Sequence, residues 1–509
     1  MAIRRYWATK DNTITNAYET NLTTRATGSN MGASDILEVF RIYGQTATGS
    51  TAAANERMRF LIQFPVTGSG IYAEGMRSVA QDRTLGKIPA SGSVNFYLKL
   101  FNAPHSQTTP RNFQLVAAAL EKDWQEGDGL DMDNFSDLNR GNPGSDWISA
   151  SLGTTWTTPG GDWDYNDSSG VTASFDIGTE DMEVNVTPLV EKWLAGTKNN
   201  YGVIVKLAPA QSDASVLRSY YTKKFWGRTS ENFIYRPVLE ARWNSSVADD
   251  RGNFYYSSSL ATEADNLNNL YFYNFVRGRL RSIPLDASQQ VVVALYPTTG
   301  AAGPFNLSAG GNVASAGDSY ATASETSTTG IYSVALSVTG AVSTYSTIND
   351  VWHIQDTGAG TSTQIFTGSI KPRKPDSAIM SNSINYVIAV PNLKKKYRRS
   401  DEDRIRLYAR EKDWSPTIYT KASNAIENTI IHSASYRVTR DADGFEIIPF
   451  GTGSDMHTLM SHDVSGNYFE VDFKMLEAGF SYTLDFSLYD QAISEWVVQS
   501  NKFRFKVEE

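Results

Sequence analysis

Short runs of alternating aromatic and β-branched residues recur along nearly the whole chain, and they leave little choice of fold. Ile36-Leu37-Glu38-Val39-Phe40-Arg41-Ile42-Tyr43, Arg57-Met58-Arg59-Phe60-Leu61-Ile62-Gln63-Phe64 and Val94-Asn95-Phe96-Tyr97-Leu98-Lys99-Leu100 set the pattern. A period of two puts every second side chain on one face, as in a strand with one side buried. Clusters of Gly, Ser, Thr and Asn separate the runs, as turns separate the strands of a sandwich. The fold class expected is all-β.

Helical spacing is rare. The clearest case is Val186 to Gly196, where Leu189 and Trp193 share a face at i and i+4. There Thr187 is placed to cap the N-terminus, Pro188 suits the first helical position and Gly196 can end the helix.

At 509 residues the chain exceeds what one core usually sustains. A polar link at Trp243 to Asp250 and a proline-bearing one at Lys371-Pro372-Arg373-Lys374-Pro375-Asp376 suggest three tandem β-sandwich domains, 1–245, 246–372 and 373–509. The middle region has strand-like runs at Leu270 to Val276, Val291 to Tyr296 and Ile331 to Val338, and its length suits an immunoglobulin-like sandwich. Its Gly/Ala/Ser/Thr-rich stretch, 298–329, reads as an exposed loop or hairpin. The last region repeats the pattern at Tyr386 to Val390, Tyr468 to Phe473 and Phe503 to Val507.

Composition narrows the function classes. The chain has no cysteine, which removes disulfides, thiolate metal sites and Cys nucleophiles. A net charge of −9 argues against a nucleic-acid partner. The N-terminal segment lacks the apolar stretch of an export signal, and no run approaches a membrane span, so neither export by the usual route nor a membrane partner is expected.

The stretch DWQEGDGLDMDNFSD, 123–137, places Trp124 among glycines and acids, and Trp156 with Gly160 to Asp167 forms a second such cluster. Trp124, Trp156 and Trp163 with Asp162 and Asp164 are the candidates for carbohydrate binding, because an indole face stacks on a pyranose and carboxylates accept hydrogen bonds from hydroxyls. For Trp124 the favoured reading is a packed structural residue with its acids solvated. Asp128, Asp131 and Asp133 approach a calcium loop but lack the glutamate that closes an EF-hand, so neither a metal nor any cofactor is expected.

Catalytic patterns are missing from the sequence. There is no HExxH helix, GxSxG elbow, P-loop or dinucleotide fingerprint, and no pair of acids is set by spacing in an apolar pocket. Of the five histidines, His457 and His462 alone lie near each other in sequence, and a hydrogen-bonded or surface role is the expectation for His462. The basic run Leu393 to Arg399 is followed at once by Asp401, Glu402 and Asp403, which favours a solvated face or an intersubunit salt-bridge patch over nucleic acid. Asp441-Ala442-Asp443-Gly444 reads as a hairpin tip.

Two resemblances carry the functional expectation. Asp11-Asn12-Thr13-Ile14, the turn at 28–32, Arg57 to Phe64, Leu115 to Ala118 leading to Trp124-Gln125-Glu126-Gly127, then Trp147, Trp163, Val186 to Gly196, Asn199 to Gly202 and Arg236-Pro237 occur in order. Over about 10–243 this resembles the DNRLRE family of β-sandwich modules, associated with extracellular bacterial proteins and carbohydrate binding. Gly227-Arg228-Thr229 stands where that family commonly has a Ser-Arg-Glu-like element. Asp249 to Tyr255, Leu270 to Gly278, Asp350 to His353 with Thr367 to Pro372, Asn392 to Trp414 and Ser465 to Phe469 resemble virion structural proteins of tailed phages of the T4-like marine myovirus type. Together they imply a jelly-roll-like N-terminal sandwich followed by immunoglobulin-like ones. The chain is then expected to be a virion structural component at the neck, collar, tail or capsid surface, assembled in the host cytoplasm. Its partners are other virion proteins and copies of itself, with host surface polysaccharide as a further candidate. A glycan-binding adhesion appendage is the first alternative and a polysaccharide-degrading enzyme the second.

Overall fold

In the computed structural model the chain is all-β, with three α-helices among the described residues. The structure describes residues 2–46, 53–105, 110–130, 135, 144–164, 170–212, 219–297, 307–309, 320–326, 328–338, 345–373, 385–412, 418, 428–490 and 492–509. No helix among them is long and apolar enough to cross a membrane.

Two compact units divide the chain, one of Ile3–Trp243 and one of Asn244–Glu509 together with Met1–Ala2. In the first, a four-stranded antiparallel sheet runs in the order Ile3–Trp7, Val238–Arg242, Asn95–Leu100, Met182–Asn185. A seven-stranded sheet runs Ser219–Trp226, Ile36–Thr46, Ala53–Gln63, Val203–Leu207, Phe113–Ala119, Val171–Phe175, with Lys10–Thr15 paired beside Ala53–Gln63. Alternation decides which side chains face inward: along Asn95–Leu100, Phe96, Leu98 and Leu100 are buried and the residues between them are half-buried. Phe60, Phe113, Phe175 and Phe225 are fully buried, and Phe113 and Phe175 stack with ring centroids 5.0 Å apart.

The helix spans Thr187–Leu194 with Leu189, Val190 and Trp193 buried. Its N-cap is Val186, one residue before the expected Thr187, because the Thr187 hydroxyl instead accepts the Phe96 N–H at 2.8 Å, and Asn185 Oδ1 accepts the Thr187 N–H. Gly196 follows the helix at φ 71°, a left-handed conformation that costs glycine little.

In the second unit, the middle region forms one seven-stranded antiparallel sheet: Asn268–Tyr273, Ile331–Val338, Ala321–Glu325, Gln289–Tyr296, Asn349–Asp356, Thr361–Thr367, with Leu307–Ala309 beside Ile331–Val338. Trp352, Leu270, Val293 and Leu336 lie in its core. The stretch expected as an exposed loop or hairpin thus supplies two strands, Leu307–Ala309 and Ala321–Glu325, both paired with Ile331–Val338. Ala321 and Ala323 face that core, and their small side chains give too faint an alternation to be seen in sequence. Residues 298–306, 310–319 and 327 of it lie outside the described residues.

The C-terminal region adds a four-stranded sheet, Tyr386–Ala389, Glu402–Glu411, Gly466–Asp472, Ser461–Asp463, and a six-stranded one. In the latter, Lys396–Arg398 from the basic run pairs parallel to Phe503–Glu508, and Lys394 and Lys396 reach Asp403 and Glu508, both at 2.7 Å within the chain. The expected hairpin at Asp441 to Gly444 joins Ala434–Arg440 to Glu446–Ile448, with both Asp443 carboxylate oxygens accepting from the Arg440 guanidinium. Middle and C-terminal regions, read from sequence as two domains, keep separate sheets but make one compact unit. Part of the proline-bearing link is pinned: the Arg373 N–H donates to the Phe254 carbonyl at 2.7 Å, and residues 374–376 lie outside the described residues.

Candidate functional site

The acidic, tryptophan-bearing loop at 123–130 is locked from below. Trp124 is buried, its indole N–H donates to the Tyr201 carbonyl at 2.9 Å, and Lys10 Nζ sits 4.9 Å from the ring centre. Trp147, Trp156 and Trp163 are buried with it, in one cluster with Ile14, Leu61, Leu120 and Ile204. The Arg59 guanidinium lies 4.9 Å from the Trp147 ring and 4.7 Å from that of Trp163, and donates to the Gly160 carbonyl. An indole 2–6% exposed offers no open face to a pyranose, so the three tryptophans picked out for sugar stacking sit in the structure as core residues.

The acids beside them are also engaged. Asp162 accepts the Thr157 and Thr158 N–H groups at 2.8 and 2.9 Å and pairs with Lys122 at 2.9 Å. Burial works to raise its pKa, but these donors outweigh it and hold the carboxyl below the usual range. Asp164 pairs with Lys198 at 2.6 Å. Asp128 is half-buried between Gly127 and Gly129, whereas Asp131 and Asp133 lie outside the described residues.

What joins this loop to the sheet is a set of groups that sequence spacing does not bring together. Asn30, fully buried, donates to the Glu126 and Ser145 carbonyls and accepts from the Gly32 and Gly129 N–H groups. Asn12, also fully buried, donates to the Ser145 carbonyl and accepts the Met31 N–H. Gly129 passes so close to Asn30 that a Cβ there would overlap its carbonyl oxygen. Arg228 grips Glu126 with both arms, Nε at 2.9 Å and Nη2 at 2.8 Å, and its backbone N–H donates to Asp11 Oδ2 at 2.6 Å.

Asp11 is the buried carboxylate of this set, 1% exposed. Burial pushes its carboxyl up to about 7, against the opposing pull of the Arg228 N–H, and burial also raises Glu126. The unfolded carboxyl titrates at 3.8, so between pH 3.8 and about 7 the folded state binds more protons than the unfolded one. Stability is therefore expected to fall as pH rises through that window. Asp11→Asn keeps the oxygen that accepts from Arg228 and is expected to remove this slope. Urea titrations at pH 5 and pH 8 should show a smaller difference in unfolding free energy for the variant than for the parent chain; an equal difference would assign the slope elsewhere.

Arg228 also borders a cleft of about 190 Å³ walled by Trp7, Tyr72, Met76, Phe233 and Arg236. Trp7 is half-buried, with its ring centre 4.5 Å from that of Phe233. The volume is below the ~300 Å³ at which sites for drug-sized ligands begin, which limits an occupant to a small group such as one sugar ring. Sequence reading passed over Trp7 because no acid or glycine cluster flags it.

No family model matches this chain. No curated protein matches it either. Among solved structures, it is similar to native-conformation alpha-2-macroglobulin of E. coli at 8% identity and TM-score 0.15, covering 97% of this chain and 28% of that one. Trypsin-activated alpha-2-macroglobulin from Escherichia coli is similar at 9% identity and TM-score 0.15, covering 93% and 22%. The chain thus spans about a quarter of the length of those proteins, and at such TM-scores the likeness carries no argument about fold type or activity.

Proposed function

We propose that this chain is a structural component of a tailed-phage virion, an accessory part of the neck, collar, tail or capsid surface that works by docking onto other virion proteins and onto copies of itself rather than by catalysis. In this reading the first unit is a jelly-roll sandwich of DNRLRE type and the second holds two immunoglobulin-like sandwiches. The observation that carries the reading is an apolar projection on the second unit. Phe275–Val276 pairs with Arg279–Leu280 in a two-residue turn, with Arg277 and Gly278 at positive φ. Phe275 and Val276 are 62% and 49% exposed, and Phe275 and Leu280 border a cleft of about 360 Å³ together with Tyr273, Tyr468 and Phe469. Apolar surface gathered at one place marks a protein–protein contact more than scattered exposed residues do.

A second reading, attachment to host glycan, moves from the buried indoles to the Trp7–Phe233 cleft, where an aromatic pair meets two arginines. Immunolabelling of intact particles carrying variant chains separates the two. Docking is expected to give label at one fixed particle site in the parent and loss of that label in Phe275→Asp, an exposed position whose change leaves the cores intact. Retention of label in Phe275→Asp, with host polysaccharide binding lost in Trp7→Ala, would favour the glycan reading.

A further inference from the structure

Three groups with metal-ligand chemistry converge in the second unit from segments about 180 and 210 residues apart in sequence: Asp250, His432 and His462. One ligand atom from each lies within 4.8 Å of the others. His462 is buried, and its Nε2 stands 3.1 Å from Asp250 Oδ1. The two imidazole rings have centres 5.0 Å apart and meet edge to face at 83°. Sequence spacing had paired His462 with His457; the sheet pairs it with His432 instead.

We infer that Asp250, His432 and His462 bind a divalent first-row transition ion, of the zinc type, which ties the middle sheet to the C-terminal one. Two imidazoles and one carboxylate form a donor set suited to Zn²⁺, while Mg²⁺ and Ca²⁺ favour all-oxygen sites. In a tetrahedral site with bonds of about 2.0–2.1 Å, donor atoms stand about 3.3 Å apart, so Asp250 and His462 already have the separation of two ligands on one ion. His432 is exposed at the edge of the site, where a rotation of its side chain would be needed to bring its nitrogen from within 4.8 Å to bonding range.

The positions of the two buried ligands are held by the surrounding backbone. Asp250 Oδ2 accepts the Asn269 N–H at 2.7 Å, which orients the carboxylate. His462 is fixed by a parallel bridge, its N–H donating to the Val247 carbonyl and its carbonyl accepting the Asp249 N–H. The Asn253 amide lies 2.5 Å from His432 Nε2, in hydrogen-bond contact with the ring. Asn253 and His432 also line a cavity of about 410 Å³, which supplies an entry path for a hydrated ion.

Calorimetric titration of chelator-treated full-length protein with ZnCl₂ tests the site. One Zn²⁺ per chain is expected, with affinity reduced by more than about tenfold in His432→Ala, whose exposed side chain can be removed without opening a core. With Co²⁺ as probe, the visible absorption of a tetrahedral nitrogen and oxygen site is expected in the parent and not in His432→Ala, and MgCl₂ in excess should leave it unchanged. Absence of Zn²⁺ binding, or equal binding and equal Co²⁺ spectra in parent and His432→Ala, would overturn the proposal.

Discussion

Replacing Trp124 by alanine is expected to destabilise the first unit by about 3–5 kcal/mol, the range for removing a large buried aromatic side chain. The side chain is 2% exposed, packs in the tryptophan cluster, donates to the Tyr201 carbonyl and carries Lys10 over its ring. Truncation would leave a cavity and orphan the Tyr201 carbonyl together. Chemical denaturation of the first unit, followed by the fluorescence of the remaining tryptophans, measures the change. A loss under about 1 kcal/mol would mean that Trp124 is a surface residue, as a sugar platform would have to be.

The second large effect lies in the four-stranded sheet of the same unit, where Glu240 is fully buried between two arginines. Arg5 Nε donates to its Oε2 at 2.6 Å and Arg242 Nε to its Oε1 at 2.7 Å, with Lys99 Nζ 3.8 Å away. Burial acts to raise the Glu240 pKa, but Lys99, Arg5 and Arg242 outweigh it and hold the carboxyl far below the usual range. Glu240→Gln deletes the anion and leaves the buried cations without it, at a cost of about 3–5 kcal/mol. The sign of the pH dependence follows from the depressed pKa. This stability is fully present above the unfolded value of 4.5 and declines below it, as the unfolded chain takes up the proton first and the folded one only at a far lower pH. The parent and variant melting curves should therefore differ most above pH 5 and converge towards acid. A constant gap from pH 7 down to pH 2 would assign the loss to packing and not to charge.

Much of the scaffold was legible because alternation reports directly which face of a strand is buried. Ile331 to Val338 and Phe503 to Val507 fall within strands, and Tyr386 to Val390 runs one residue past the end of one. The signal weakens where a strand is made of small residues, as in Ala321–Glu325, within the stretch whose composition suggests an exposed loop or hairpin. The candidate site was less legible. Its tryptophans and acids stand out in sequence, but a loop has no period to say which way a side chain points, and here the indoles point inward. The residues that lock the loop, Asn12, Asn30 and Arg228, are polar and scattered over more than 200 positions, so only the folded sheet brings them together. The same distance hid Asp250 from His432 and His462.

Cross-linking of intact virions followed by mass spectrometry tests the docking role most directly. Docking through the Phe275 hairpin and the loop ends predicts cross-links from this chain to another virion protein or to a second copy of itself, recovered at constant yield from purified particles, and lost in Phe275→Asp. Particles that contain the chain but give links only within one copy, or purified particles that lack it, would contradict the role proposed.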